Sequence, residues 1–162
     1  PIMMQSKIEI FESTTFEELS NKMSNLGAQM ILDSLSLIEK DKAKFFPQQE
    51  KNASYAKKIK KSEGKIDWKD NAKKIIAKIN ALTPNPGCWF ELNGIRIKII
   101  SAEMVRANGA PGEILNNNFT IACSENAIKI IELKKEGKKK TTAFEFLKGN
   151  NLIVGNFVNE SI

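Results

Sequence analysis

The chain has 162 residues, 41% hydrophobic and 27% charged, with 25 basic against 19 acidic side chains and no histidine. That length covers one domain or one and a half, and a mean hydropathy of −0.31 places it among soluble globular proteins rather than membrane or disordered ones. Without histidine the chain lacks the commonest general base and metal ligand, which excludes every Ser-His or Cys-His nucleophilic arrangement.

Charge is divided unevenly along the chain. Residues 1–50 carry five lysines against eight carboxylates, which leaves twenty basic against eleven acidic side chains in residues 51–162. The positive field therefore belongs to the later part. The start, Pro1-Ile2-Met3-Met4-Gln5, has none of the basic stretch, apolar run and small-residue site of a secretory signal. No apolar run approaches the roughly 18 residues of a spanning helix, so no membrane partner and a cytoplasmic setting are expected.

A short strand is predicted over Ile2–Ile10, followed by a helix from about Phe16 to Lys40. Thr15 with Glu18 makes a capping box, and Phe16, Leu19, Met23, Leu26 and Met30 recur along one apolar face. One strand and one helix cannot bury that face by themselves, so this segment needs a partner. From about Asp41 to Gly64 the chain turns polar and lysine-rich, with Pro47 and no sustained period, as a linker does. Lys57, Lys58, Lys60, Lys61 and Lys65 crowd its end. A second helix begins near Asp67 or Asp70 and stops before Pro84. It turns Ala72, Ile75, Ile76, Ile79 and Leu82 inward, and most of Lys69, Lys73, Lys74 and Lys78 outward.

After Pro84 and Pro86 the period changes from helix to strand. Cys88–Leu92 and Ile95–Met104 flank Asn93-Gly94, a two-residue hairpin signal, because the favoured turn needs positive φ at both positions. Ile95, Ile97 and Ile99 alternate with Arg96 and Lys98. Further strands are predicted at Gly112–Leu115, Phe119–Cys123 and Ala127–Leu133, then a short helix from Thr142, capped by Glu145, to Lys148, and a last apolar run, Leu152–Val158. Short strands separated by turn signals imply a small closed or partly open β-barrel. Cys88 and Cys123 are too few for a disulfide framework and too far apart for a paired metal or redox motif, so both are expected to be reduced.

No residue pattern gives a catalytic site. Gly137-Lys138-Lys139-Lys140-Thr141 fails as a phosphate loop, since the required earlier glycine falls at Glu132. Zinc spacing and a dinucleotide fingerprint are absent as well, and no metal is expected. What stands out is charge. Three groups of lysines converge on one module: the linker end, the exposed side of the second helix including Lys73, and the later loop of Lys134, Lys135, Lys138, Lys139 and Lys140. A solvated surface and a nucleic-acid-binding face both fit this pattern. Trp68, Trp89 and Phe90 offer stacking faces, but beside Ile66 and Leu92 they are read as core, both tryptophans included.

Several stretches together resemble a known family. Tyr55-Ala56-Lys57-Lys58-Ile59, Glu63 and Ile66-Asp67-Trp68 come first, then Pro84-Asn85-Pro86-Gly87 with Trp89, and Pro111-Gly112-Glu113-Ile114. Thr120-Ile121-Ala122-Cys123, Glu132-Leu133, Glu136-Gly137-Lys138-Lys139 and Glu145-Phe146-Leu147-Lys148-Gly149 follow in order. Their order and spacing over nearly the whole chain resemble the linker and carboxy-terminal domain of the methionyl-tRNA formyltransferases. Lys140 and Thr141 stand where that family commonly has Pro-Met.

The resemblance implies an α+β chain with three parts. Residues 1–44 would be the last strand and helix of a truncated Rossmann-like formyltransferase domain, 45–64 a basic linker, and 65–162 an OB-like β-barrel that binds tRNA. The parent enzyme would transfer a formyl group from 10-formyltetrahydrofolate, its co-substrate, to methionyl initiator tRNA. The family's catalytic Asn, His and Asp precede the segment resembling Pro1–Ile10, so this fragment is expected to bind no cofactor itself, to be inactive alone, and to be monomeric. Lys58 and Lys61 match the family's linker contacts best. Two other readings stay open: the second domain of a sugar-nucleotide N-formyltransferase, and a free-standing structural module.

Overall fold

The computed structural model describes residues 1–158, the side chain of Asn52 excepted; the last four residues of the expected 65–162 domain lie outside the described residues. The chain separates into two compact units, Pro1–Lys58 and Ile59 onward. Each is described by itself.

In the first unit, helix α1 spans Phe16–Glu39. Its start is fixed by the predicted box: the Thr15 hydroxyl accepts from the Glu18 N–H at 3.3 Å, and the Glu18 carboxylate accepts from the Thr15 N–H at 3.0 Å. Those hydrogen bonds, the backbone one first, hold the Glu18 carboxyl below its ordinary pKa. The helix stops where Asp41 turns to a φ of 54° and the Lys42 N–H reaches back to the Leu37 carbonyl at 2.8 Å. No residue of α1 is buried, and Phe16, Met23, Ile31, Leu32, Leu35 and Ile38 are half exposed or more. The strand predicted over Ile2–Ile10 does not form. Only Ile2 pairs, exchanging hydrogen bonds with Phe46 at 2.7 and 2.8 Å. A strand exists only where a neighbour accepts and donates along it, and Phe46 supplies a single rung.

The second unit opens with a 3-10 turn at Lys61–Gly64 and then helix α2, Ala72–Leu82. The residue that caps α2 is Asn71, whose side chain accepts from the Lys74 N–H at 2.8 Å, rather than Asp67 or Asp70. Ala72, Ile75, Ile79 and Leu82 are buried as their spacing predicts, with Ile76 partly buried beside them. After α2 the chain turns through Pro84 and Pro86, both preceded by cis peptide bonds.

Strands β1 (Cys88–Leu92) and β2 (Ile95–Val105) form the hairpin that Asn93-Gly94 signals, with φ of 51° and 73° at its two turn residues. Strands β3 (Ile114–Asn116), β4 (Thr120–Ala122) and β5 (Ala127–Lys135) follow, then β6 (Thr141–Thr142) and helix α3 (Ala143–Lys148). Residues Gly112, Glu113, Phe119 and Cys123 flank the strands rather than belong to them, and β6 was not predicted because two residues carry no period. The strands pair antiparallel in the order β1-β2-β5-β4-β3, with β6 beside β5, and Lys65 adds a parallel bridge to Trp89. The β2–β5 register shifts around Ser101, and such a bulge bends a sheet and sharpens its twist. The result is an α+β fold built on a curled antiparallel sheet, a half-barrel closed by α2.

The concave face holds the core. Phe90, Ile97, Ile99, Ile114, Phe119, Ile121, Ile128, Ile130 and Leu133 meet Ile75 and Ile79 of α2 there. A run of aromatic contacts crosses it: Trp68 to Phe90 at 5.6 Å, Phe90 to Phe119 at 6.0 Å, and Phe119 to Phe146 at 5.8 Å between ring centroids. Trp68 and Phe90 are therefore core, as expected. Trp89 is not. It is half-buried on the opposite face of β1, because it alternates with the buried Cys88 and Phe90.

Candidate nucleic-acid interface

The outer face of the sheet is where positive charge gathers. Along β1 the side chains opposite the core are Trp89 and Glu91, along β2 Arg96 and Lys98, and along β5 Glu132 and Lys134. The register sets Trp89 beside Lys98, Glu91 beside Arg96, and Lys98 directly opposite Lys134. Period-two alternation and antiparallel pairing thus carry residues far apart in sequence into one row.

The segment before α2 lies along this row. Its course is fixed by a close backbone approach: a Cβ on the buried Gly64 would stand 2.2 Å from the Gly87 carbonyl oxygen, so only glycine fits. Ile66 N–H donates to the Trp89 carbonyl at 2.8 Å, and the Trp89 indole N–H donates to the Lys61 carbonyl at 3.4 Å. The Lys65 ammonium stands 5.4 Å from the Trp89 ring centroid and the Arg96 guanidinium 3.9 Å, both in cation–π range. Lys78 of α2 donates to the Lys65 carbonyl at 2.8 Å and serves the fold rather than the open surface.

Between these elements is a cleft of about 350 Å³ lined by Lys61, Asn85, Pro86, Trp89, Arg96, Lys98, Lys134, Lys135, Glu136 and Gly137. The residues lining it include Lys61, Arg96, Lys98, Lys134 and Lys135 and one acidic residue, Glu136; of the cations, Arg96, Lys98 and Lys134 lie on the outer face of the sheet by strand alternation, with Glu91 beside Arg96. Lys98 is the most constrained of them. Its ammonium donates to the Pro84 carbonyl at 2.6 Å, and its stem crosses Gly87, where an added Cβ would meet Lys98 Cε at 1.8 Å. Burial, and next the facing Lys134 ammonium, pull its pKa below the ordinary lysine value.

Of the residues expected from sequence, Lys61, Lys134 and Lys135 share the cleft, and Lys65 reaches its Trp89 wall. Lys60 is exposed one position away, its N–H held by the Glu63 carboxylate at 2.6 Å. Lys138 and Lys139 are exposed in the turn between β5 and β6, while Lys140 pairs with Glu132 at 2.9 Å. Lys73 is exposed on α2, outside the residues lining the cleft. Lys57 and Lys58 are exposed at the end of the first unit. Sequence reasoning missed Trp89, Arg96 and Lys98 as site residues. The alternation through Ile95, Ile97 and Ile99 already put Arg96 and Lys98 on the solvent side; the partner strand that completes the row was not readable.

Among the described residues no cluster of His, Cys, Asp or Glu is arranged to hold a metal ion, and no helix is long and apolar enough to cross a membrane. Both thiols are buried, and burial pushes Cys88 and Cys123 up to about 11.

The family model described as formyl transferase, C-terminal domain, matches residues 58–151. The chain is 37% identical over 158 residues to the methionyl-tRNA formyltransferase of Bradyrhizobium diazoefficiens, covering 95% of this chain and 51% of that protein. To the methionyl-tRNA formyltransferase of Pelagibacter ubique it is 41% identical over 150 residues, covering 92% and 48%. The chain therefore spans about half the length of the curated relatives it matches. Among solved structures, a variant of HypX from Aquifex aeolicus superposes with a TM-score of 0.67 at 20% identity, covering 93% of this chain and 31% of that one. HypX in complex with tetrahydrofolic acid gives 0.58 at 22%, covering 80% and 26%. These two likenesses speak for the fold alone.

Proposed function

The chain belongs to the formyl transferase family, whose carboxy-terminal domain it carries, and from that premise we propose that it is the tRNA-holding part of a methionyl-tRNA formyltransferase. The parent enzyme moves a formyl group from 10-formyltetrahydrofolate to the amino group of methionine on initiator tRNA. Bond making belongs to the portion of such an enzyme that this half does not include, and so does the folate. Within the chain, residues 1–44 supply the last helix, α1, and the segment before it to a Rossmann-like catalytic domain, and residues 45–64 a basic linker. Residues 65–162 are the OB-like tRNA-binding domain, described as far as Val158. The chain acts in the cytoplasm as a monomer.

The observation that carries this reading is the cleft on the outer sheet face, whose lining includes five basic residues and one acidic residue. A polyanion lying there exchanges condensed counterions for Lys61, Lys134 and Lys135, extended by Lys60 and Lys65 on one side and Lys138, Lys139 and Lys140 on the other. Lys57 and Lys58 continue the basic run along the chain, and Lys73 adds charge on α2. Such contacts go to phosphate oxygens, so they position the RNA without reading its bases.

The test is a salt titration. If about six phosphates are neutralised, log affinity for tRNA falls with log salt at a slope near −5. Filter binding of the chain to initiator and elongator tRNA at several ionic strengths measures it. A flat response, or no retention of tRNA at low salt, rejects the reading.

A further inference from the structure

We propose that the cleft is a discrete seat for one phosphate group of the polynucleotide backbone, held between Lys98 and Lys134 with Lys61 and Arg96 completing its walls. This rests on the tRNA-holding reading and deepens it: one position on the sheet grips a single phosphate where the surrounding lysines act as a diffuse field.

The argument begins with how the other lysines are used. Lys74 pairs with Asp70 at 2.6 Å, Lys129 with Glu103 at 3.0 Å, Lys140 with Glu132 at 2.9 Å and Lys148 with Glu145 at 2.7 Å. Lys98 and Lys134 take part in none of these ion pairs. They stand directly opposite one another on adjacent strands, an arrangement of like charges that costs a sheet stability. The neighbouring rung in β5 shows the alternative, since Glu132 has its own lysine.

Lys98 is also positioned before any ligand arrives. One of the three donors an ammonium carries goes to the Pro84 carbonyl at 2.6 Å, which fixes the head group while the stem lies over Gly87. The same holds for Arg96, whose planar donors are laid on the Trp89 ring at 3.9 Å. A pre-set cation loses less freedom on binding than a waving surface lysine. The volume, about 350 Å³, lies at the small end of the ~300–1,000 Å³ range of ligand pockets, so the seat admits a phosphate with its sugar rather than a folded strand. An entering phosphate offsets both the burial and, next, the Lys134 charge that lower the Lys98 pKa.

Two measurements on the full chain test this. Inorganic phosphate is titrated while the Trp89 indole N–H is followed by NMR, with the Trp68 indole as internal control, in the native chain, Lys134→Gln and Lys98→Met. Saturable movement of Trp89 alone, abolished in both variants, is expected; a linear drift, or saturation that survives Lys134→Gln, overturns the seat. Lys134 is exposed, so that variant keeps the test valid if Lys98→Met fails to fold. In parallel, the salt slope of tRNA binding is compared between native and Lys134→Gln. The slope is expected to be shallower by about 0.9, the loss of one phosphate contact. Steep native tRNA binding with an unchanged Lys134→Gln slope removes the seat and leaves the functional reading intact. Saturable phosphate binding with no tRNA binding assigns the cleft to a free phosphate compound, which overturns both the polynucleotide source and the functional reading.

Discussion

Trp89 shows how one side chain becomes part of a surface. Cys88 and Phe90 are buried on either side of it, so backbone alternation leaves Trp89 outside, and Arg96 and Lys65 then cover its ring. Gly87 next to it is set by geometry of a different kind. Its φ is +82° and Lys98 fills the space a Cβ would take. Gly87→Ala is expected to lower stability by roughly 1–3 kcal/mol, read as a lower urea midpoint at unchanged m-value, and to displace Lys98 from Pro84. The thiols give a pH prediction. Burial raises both from the ordinary value of 9.0 to about 11, so the unfolded chain releases these protons first. The stability carried by the neutral thiols is complete below pH 9 and disappears as pH climbs through 11. Urea titrations across that window are expected to show a steeper decline for the native chain than for a Cys88→Ala, Cys123→Ala variant.

At the scale of elements, helices were legible because their signals are local. The Thr15–Glu18 box, the 3.6-residue period of α2 and the Thr142 cap of α3 all lie within a few residues of what they determine. Even so, the sequence puts the α2 start only near Asp67 or Asp70, and the cap is Asn71. Three neighbouring side chains suited a cap, and only the turn geometry selects Asn71. Asn71→Ala is expected to cost about 1 kcal/mol, while Asp67→Ala costs less, measured by thermal unfolding. Strands were legible where a turn announced them, as at Asn93-Gly94, and illegible where the partner decided. Ile2–Ile10 reads as a strand by composition, yet pairs only at Ile2. β6 has no period to read and exists because β5 offers Glu132 and Leu133 as partners.

For the molecule as a whole, the core formed by the described residues is drawn from Ile66 to Val158. A chain beginning at Ile59 is therefore expected to fold with a single cooperative transition by calorimetry; a broad or absent transition would show that the half-barrel needs more than its own residues. The apolar face of α1 carries no such core, and Phe16, Met23 and Leu35 stay open to solvent in this chain. By itself the sequence determined the α+β class, both long helices, the main hairpin and the concentration of positive charge after residue 50. It did so because caps, periods, turn φ values and net charge are properties of neighbours along the chain. Only the tertiary structure decided that Lys61, Lys98 and Lys134 face one cleft and that Trp89 is its wall. That outcome depends on the β2–β5 register and on the close approach of Gly64 to Gly87, contacts between segments distant in sequence that no local pattern records.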